Sequence, residues 1–481
     1  MFQRAHRLSA CFIAALMIAL VRERGGFCAN QEPAPEALHW SVVSGPVVGP
    51  DGKIYVLAAV GDVHPPEGPK QMDWTVVEPG RNYLCALRPD GTQKWRLALG
   101  DALLSNEATG LCAWRAGTLY VATTRPMLYS LDPSGAEKWK VLFGGNRIEW
   151  FDFGPDETIY LLRGNVLDAL KADATQKWET ASEAYPSGAP VVGPDGTVYL
   201  MAWNLLQAIS PEGRRRWSLG LGEGPIHALR CPQLKGGNGW VIYAVGNDNL
   251  YALAPNGTQK WEFPFAGRLV GSLDFGPDGT IYFPANAANG HGRVYALRTD
   301  GTQKWKFDDP VTWEPTQHCS VRVGLGGIVY YVESGKLPEN PWRGGRVYAL
   351  GPDGTLRWQV PLGGGPVVRL AVLGVGADGT IYVADTILPG HVTWVRWETF
   401  MVGALYALTP GGHQKWRFSG KGVSYLAFGA DGTIYVAQNY ELGDPARRTG
   451  TLYALTPAGD QKWAFSPGIE AGPAAVVGPG P

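Results

Sequence analysis

The chain has 481 residues, a formal net charge of −1 and 18% charged residues, against a usual share of about 25%. A charge so near zero, with Arg214-Arg215-Arg216 and Arg447-Arg448 short and isolated, excludes the basic face that phosphate binding demands, so no nucleic-acid partner is expected. Gly (65), Pro (37) and Trp (19) are abundant, but they recur at fixed places and so mark turns and packing positions instead of low complexity.

Residues 1–29 read as a secretory signal peptide. Arg4 and Arg7 form a basic start, and the apolar run Leu8 to Val21 is too short to span a bilayer comfortably before Arg22-Glu23-Arg24. Cleavage fits after Cys28 or after Ala29. Leu8-Ser9-Ala10-Cys11 spells a lipobox, but its apolar run follows the cysteine where a lipoprotein's precedes it. An uncleaved anchor is the other reading of this segment. Residues 30–37 are a linker, and 38–481 form one repeat domain. Nothing later approaches a membrane span, so the mature chain is expected to carry none, and its place is periplasmic or secreted.

Leu38-His39-Trp40-Ser41-Val42 reads as a stray strand of the kind that ends each repeat. Nine repeats follow. Their last strand carries Trp95, Trp139, Trp178, Trp217, Trp261, Trp305, Trp358, Trp416 and Trp463; their second carries Tyr55, Tyr120, Tyr160, Tyr199, Tyr243, Tyr282, Tyr330, Tyr382 and Tyr435. A third element reads Leu-Tyr-Ala-Leu, as at 250–253, 405–408 and 452–455, with weaker copies at 128–131 and 167–170. Each repeat thus offers four short apolar runs, A to D, bounded by turn residues, and such runs are strands. Gly276-Pro277-Asp278-Gly279 exemplifies the A–B connection and Pro89-Asp90-Gly91 the C–D connection. Pro presets the first turn dihedral, Asp tolerates the next, and Gly supplies φ > 0, so both are tight hairpins. An A-like strand, Gly472 to Gly478, is left over at the end.

A lone four-stranded meander leaves two open edges and cannot bury both faces. Radial stacking solves both problems, with large aromatics between the units. The expected fold is all-β: a single β-propeller of eight to nine four-stranded blades. The two leftover strands either complete and seal the ring or mark a chain that stops inside a tenth repeat. Cys85, Cys112, Cys231 and Cys319 contain no Cys-x-x-Cys and no adjacent pair; one disulfide is compatible with export, and four small buried strand residues are the simpler reading.

Tyr-Ala-Leu followed by Pro-Asp-Gly-Thr-Gln-Lys-Trp resembles the pyrroloquinoline-quinone (PQQ)-like propeller repeat, over residues 38–478. That resemblance implies one of two classes: quinoprotein dehydrogenases, with PQQ and calcium at the propeller axis, or non-catalytic propellers such as the BamB-type lipoprotein of outer-membrane β-barrel assembly. The dehydrogenases carry a vicinal disulfide and a repeat of the form Asp-x-x-Thr-Gly-Lys-x-x-Trp. This sequence has no Cys-Cys pair and no matched calcium-binding Glu, Asn or catalytic Asp, so no cofactor is expected and the non-catalytic class is favoured.

Other chemistries find little support. One Asp per hairpin (Asp90, Asp278, Asp300, Asp353, Asp378, Asp431) spread around a ring does not converge as calcium ligands must. The same letters resemble the sialidase Asp-box, but Gly directly follows Asp and no arginine triad stands out. There is no His-x-His, no His-Glu-x-x-His and no Gly-x-Ser-x-Gly. Paired carboxylates for glycoside chemistry would converge from distant blades and are not locatable in sequence.

The loops between B and C vary, and binding loops on a rigid scaffold are expected to vary. Insertions of roughly Ala58 to Arg81, Glu333 to Arg346, Asp385 to Val402 and Gln438 to Gly450 fall in repeats one, seven, eight and nine, which are neighbours once the ring closes. They carry Trp74, Trp342, Trp394, Arg396, Trp397 and Tyr440, and Trp313 precedes repeat seven. These are the candidate ligand-binding residues, since Trp and Arg are favoured at hot spots and Trp also stacks on sugars. A bland alternative has the loops covering one another and sealing the join. The expectation is an extracytoplasmic scaffold at the cell envelope that binds a protein or polysaccharide through this face. The alternative is a PQQ-dependent or glycan-active propeller enzyme.

Overall fold

The computed structural model describes residues 40–466, apart from 43–45, 61–62, 65–74, 77–81, 100–111, 124–125, 233–239, 247, 266–267, 270–272, 287–290, 313–317, 338–339, 363–366, 388–401, 421–422 and 439–449. The signal-peptide reading of 1–29, the linker at 30–37 and the leftover strand at 472–478 lie outside them.

Nine antiparallel up-and-down sheets follow one another along the chain, one per repeat, and build a nine-bladed propeller. In blade three the four strands are Trp150–Phe153, Ile159–Arg163, Val166–Leu170 and Gln176–Ala181. Strand B is buried throughout and strand C from Leu167 on, while strand D alternates, as an outer strand with one solvated face does. No α-helix occurs among the described residues, only a 3-10 turn at Leu325–Gly327, and none of their helices could cross a membrane.

The tight turns are as the sequence dictates. In blade six Gly276 N–H donates to the Thr280 carbonyl at 2.8 Å, and Gly279 N–H donates back to Gly276 at 2.9 Å. Gly279 sits at φ +83°, where a side chain would be strained. The aspartates cap these turns: Asp278 accepts from the Thr280 amide at 3.0 Å and hydroxyl at 2.8 Å, and Lys304 of strand D donates to the same carboxylate at 3.0 Å. The arrangement repeats at Asp378 with Thr380 and Lys415, and at Asp431 with Thr433 and Lys462. These aspartates are turn and strand fasteners, each with its own lysine.

This fastening is pH-dependent. The Thr380 hydroxyl, then the Thr380 amide and Lys415, outweigh slight burial and hold Asp378 at about 2, below the ordinary 3.8. Asp431 lies at about 2 for the same reasons, led by Thr433. A carboxylate depressed in the folded state stabilises it fully above the unfolded value and stops doing so as pH falls toward the folded one. The melting temperature is therefore expected to fall between about pH 4 and pH 2. The drop should shrink in an Asp378→Asn/Asp431→Asn double variant; scanning calorimetry across that range checks it, and an equal drop in both proteins would contradict the assignment.

The repeated aromatics act at two levels. Within each blade the strand-B Tyr packs against the strand-D Trp, ring centroids 5.8 Å apart for Tyr243–Trp261 and 6.0 Å for Tyr330–Trp358. Between blades, the indole N–H donates to a carbonyl in the next blade's C–D turn: Trp178 to Pro211 at 2.6 Å, Trp261 to Thr299 at 3.0 Å, Trp416 to Pro457 at 3.0 Å. The turn glycine lies flat on the indole; a Cβ on Gly301 would come within 2.6 Å of Trp261. Opposite the Trp stands a small residue, Ser130 in blade two and Ala in the other eight, as Ala252 faces Trp261, and a bulge follows it that sharpens the twist.

The ring closes between blades nine and one. Trp463 donates to the Pro89 carbonyl at 2.8 Å, and Ile54, Val56, Cys85 and Leu87 form one core with Tyr435, Ala437, Leu452, Ala454 and Phe465. The blade number, open at eight or nine in the sequence, is nine. The strand at Leu38–Val42 corrects the sequence reading: Trp40–Val42 is no strand D but the start of strand A of blade one, pairing Trp40 with Val60 while Val47–Val48 pairs further along the same partner. Strand A of blade six is split likewise, at Arg268–Leu269 and Asp274–Phe275.

Candidate binding face

One face of the ring is made of the A–B and C–D turns, similar in most of the described blades. The B–C turns and D–A segments form the other. In blades three and four the B–C connection is two residues long, Gly164-Asn165 and Trp203-Asn204. Blade seven departs most. The stretch read in sequence as an inserted loop, Glu333 to Arg346, is largely a continuation of the sheet: strands Val329–Leu337 and Asn340–Leu350 pair from Val329↔Leu350 to Leu337↔Asn340. Gly335, Gly344 and Gly345 hid this, because glycines offer no alternation of side chains, yet a backbone ladder needs none. In blade one Val63–His64 pairs with Thr75–Val76, and in blade eight the pairing runs out to Ile387↔Val402.

Of the candidate residues, Trp342 lies on strand C of the blade-seven hairpin. Trp74, Trp313, Trp394, Arg396, Trp397 and Tyr440 lie outside the described residues.

The base of this sector carries buried carboxylates, each bonded to a tyrosine. Tyr331 donates to Glu333 at 2.5 Å, Tyr348 to Asp309 at 2.6 Å and Tyr406 to Asp385 at 2.7 Å. Tyr348 and Tyr406 are the tyrosines of the Tyr-Ala-Leu element, so the repeat delivers the donor and blades six to eight add the acid. Burial pushes the Tyr406 hydroxyl up to about 12, with Asp385 adding to the shift, so it remains a donor. Burial likewise raises the Asp385 carboxyl, against the bonds from Tyr406 and the Ala404 amide. Ser334 accepts from the Leu370 amide at 3.1 Å and Ser320 from Val372 at 3.2 Å, tying blade seven to strand A of blade eight. Gly292 is required here, since a Cβ would meet the Glu333 carboxylate at 1.7 Å. The described strand ends of blades seven and eight thus stand on a floor of tyrosine-bonded carboxylates, the preorganisation a binding loop requires.

Three further features of this face escaped sequence reasoning. In blade three Arg163 grips Asp168 with two nitrogens, at 2.7 and 3.0 Å, and donates a third to the Gly144 carbonyl. Trp203 and Tyr185, over blades four and three, are exposed. The signal for two of them is a mismatch with the repeat: Asp168 stands where six other blades have Tyr, and Trp203 stands where blade three has Gly164.

Among the described residues no three His, Cys, Asp or Glu side chains group as metal ligands. The carboxylates buried on this face are instead held one by one, Glu333, Asp309 and Asp385 on tyrosines and Asp168 on Arg163. Cys85, Cys231 and Cys319 are in no disulfide, Cys85 and Cys319 buried, and burial pushes the thiols of Cys85 and Cys231 up to about 12, as inert thiols.

Residues 80–226 and 204–367 match the family described as outer membrane protein assembly factor BamB. No curated protein matches the chain. Among solved structures, BamB from Moraxella catarrhalis is 13% identical at a TM-score of 0.46, covering 72% of this chain and 96% of its own. A europium-containing methanol dehydrogenase is 14% identical at 0.46, covering 72% and 82%. A eukaryotic initiation factor is 10% identical at 0.51, covering 80% and 93%, a likeness of fold alone.

Proposed function

The chain belongs to the BamB-type family of PQQ-like propellers, matched over more than half its length, and from that premise we propose that it is a non-catalytic scaffold of the cell envelope that holds a protein or polysaccharide on its loop face. One observation carries the reading. The turn face repeats a similar tight hairpin in most of the described blades, whereas the loop face is asymmetric, with the blade-seven hairpin standing on buried carboxylate–tyrosine bonds. Rigid, sector-specific relief is what a recognition surface needs and what a merely structural ring does not. The tryptophans at 74, 313, 342, 394 and 397, with Arg396 and Tyr440, belong to the insertions and D–A segment of this face and are the proposed anchors. Family membership supports an envelope location, and the basic-then-apolar start of the sequence supports export.

The test compares wild type, a Trp394→Ala/Trp397→Ala double variant and an Asp278→Ala variant of the turn face, by pull-down from envelope extracts and by glycan array. Loss of a true anchor is expected to weaken binding by about 2 kcal/mol or more, with the melting temperature nearly unchanged. Full binding by the double variant, together with loss in the Asp278→Ala variant, would place the functional face on the opposite side.

A further inference from the structure

We propose a second site on the loop face, over blades three and four, where Trp203 and Tyr185 form an aromatic platform for a β-linked saccharide. The argument begins with a comparison the protein makes internally. Blades three and four have superimposable B–C hairpins: Arg163 pairs with Val166 around Gly164-Asn165, and Ala202 pairs with Leu205 around Trp203-Asn204. The supporting hydrogen bonds match as well, Ser182 N–H to the Asn165 carbonyl and Leu221 N–H to the Asn204 carbonyl, both 2.8 Å. The first turn residue is left-handed in both, φ 61° for Gly164 and 57° for Trp203. Glycine serves this conformation without cost, whereas a bulky side chain there is a strained outlier.

The indole gains nothing from the fold in return, because Trp203 is 63% exposed. Folding therefore does not account for it. Its turn is nevertheless fixed: Ile226 N–H donates to the Trp203 carbonyl at 2.7 Å, and the Asn204 side-chain amide donates to the Gly222 carbonyl at 3.1 Å. An open ring carried on a fixed turn is presented to a ligand at a set place on the face.

Tyr185 completes the platform. It is 61% exposed, and its hydroxyl donates to the Glu149 carboxylate over blade three. Its segment is joined to blade four two residues later, where Ser187 N–H donates to the Met201 carbonyl at 2.7 Å, two residues before Trp203. The neighbours are polar: Arg147 pairs with Glu149, and Glu183 binds Arg215 and Ser218. An apolar protein epitope would want aliphatic surroundings around such rings. Isolated aromatics rimmed by carboxylates suit a sugar, whose C–H face stacks while its hydroxyls donate to the acids. β-1,4-linked chains present such flat faces in succession.

The decisive variant is Trp203→Gly, which installs the residue blade three already uses and so leaves folding intact. Cellohexaose and chitohexaose are titrated by calorimetry against wild type, Trp203→Gly and Tyr185→Ala, with melting temperatures in parallel. The expected result is saccharide binding by wild type, at least tenfold weaker in both variants, with Trp203→Gly melting at or above wild type. No binding of either hexamer by wild type, or undiminished binding by Trp203→Gly, overturns the site. So does a lower melting temperature of Trp203→Gly, which would make the indole structural. Loss of a captured envelope protein in Trp203→Gly without any saccharide binding would assign the platform to a protein contact and overturn the saccharide. The proposed anchors over blades seven and eight are untouched by these variants, so either site can fail alone.

Discussion

Replacing Trp463 by alanine is expected to destabilise the protein by about 3–5 kcal/mol, the usual cost of deleting a buried large aromatic, and to do so at one seam. Trp463 is buried; it packs on Tyr435 within its blade and donates to Pro89, a residue 374 positions earlier. Gly91 lies so close that a Cβ would meet the indole at 2.5 Å. Eight other tryptophans do the same for consecutive blades, but this one joins the last blade to the first, so its contact, together with the core shared by those two blades, must recover the entropy of bringing the two ends of the ring together. Trp261→Ala should cost a comparable amount at the junction of blades five and six. Hydrogen exchange separates the two: in Trp463→Ala protection should be lost first in strands Asn82–Leu87 and Gln461–Phe465, and in Trp261→Ala around Gln259–Pro264 and His291–Leu297. An unchanged melting temperature for either variant, or identical exchange patterns, would contradict the seam assignment.

The architecture was legible because each local signal is repeated nine times. Pro-Asp-Gly sets a turn by backbone dihedrals alone, and the Tyr and Trp positions mark the same packing contact in every blade, so copies reinforce one another. What the sequence concealed lies where a residue breaks the pattern or where partners are distant. Trp40–Val42 shows short alternation that suits strand A or strand D equally, and only its neighbour Val60 decides between them. Glu333 is read in sequence as a loop residue, because its partner Tyr331 belongs to the repeat while the glycines after it mask the strand. Asp309 meets Tyr348 across 39 residues, a separation at which spacing carries no information. Trp203 lies in a two-residue turn, where loop length carries no signal, and a tryptophan there departs from the repeat by residue type alone.

The same logic of departure from the repeat makes Arg163 the most informative buried charge. Arg163→Met is expected to cost about 3–5 kcal/mol, the range for removing one partner of a buried ion pair. Asp168 is 1% exposed and receives two bonds from the guanidinium, so the variant would strand a carboxylate away from water. The further ion pair of Arg163 with Glu179, at 3.5 Å to an exposed acid, adds little. The aromatic face of Phe143, 5.1 Å from the guanidinium carbon, is polarised by the same charge. Asp168 occupies the position held by Tyr129, Tyr251, Tyr295, Tyr348, Tyr406 and Tyr453 in other blades, which supplies the complementary variant. Arg163→Met/Asp168→Tyr returns blade three toward the common pattern and removes both charges together. Replacing a buried ion pair by well-packed groups is often neutral or stabilising, so the double variant should recover most of the loss, while Asp168→Tyr alone leaves Arg163 buried and should not. Urea unfolding of all four proteins gives the coupling directly, provided the slopes agree. If Arg163→Met alone were as stable as wild type, the pair would be an incidental contact and not the polar core of blade three.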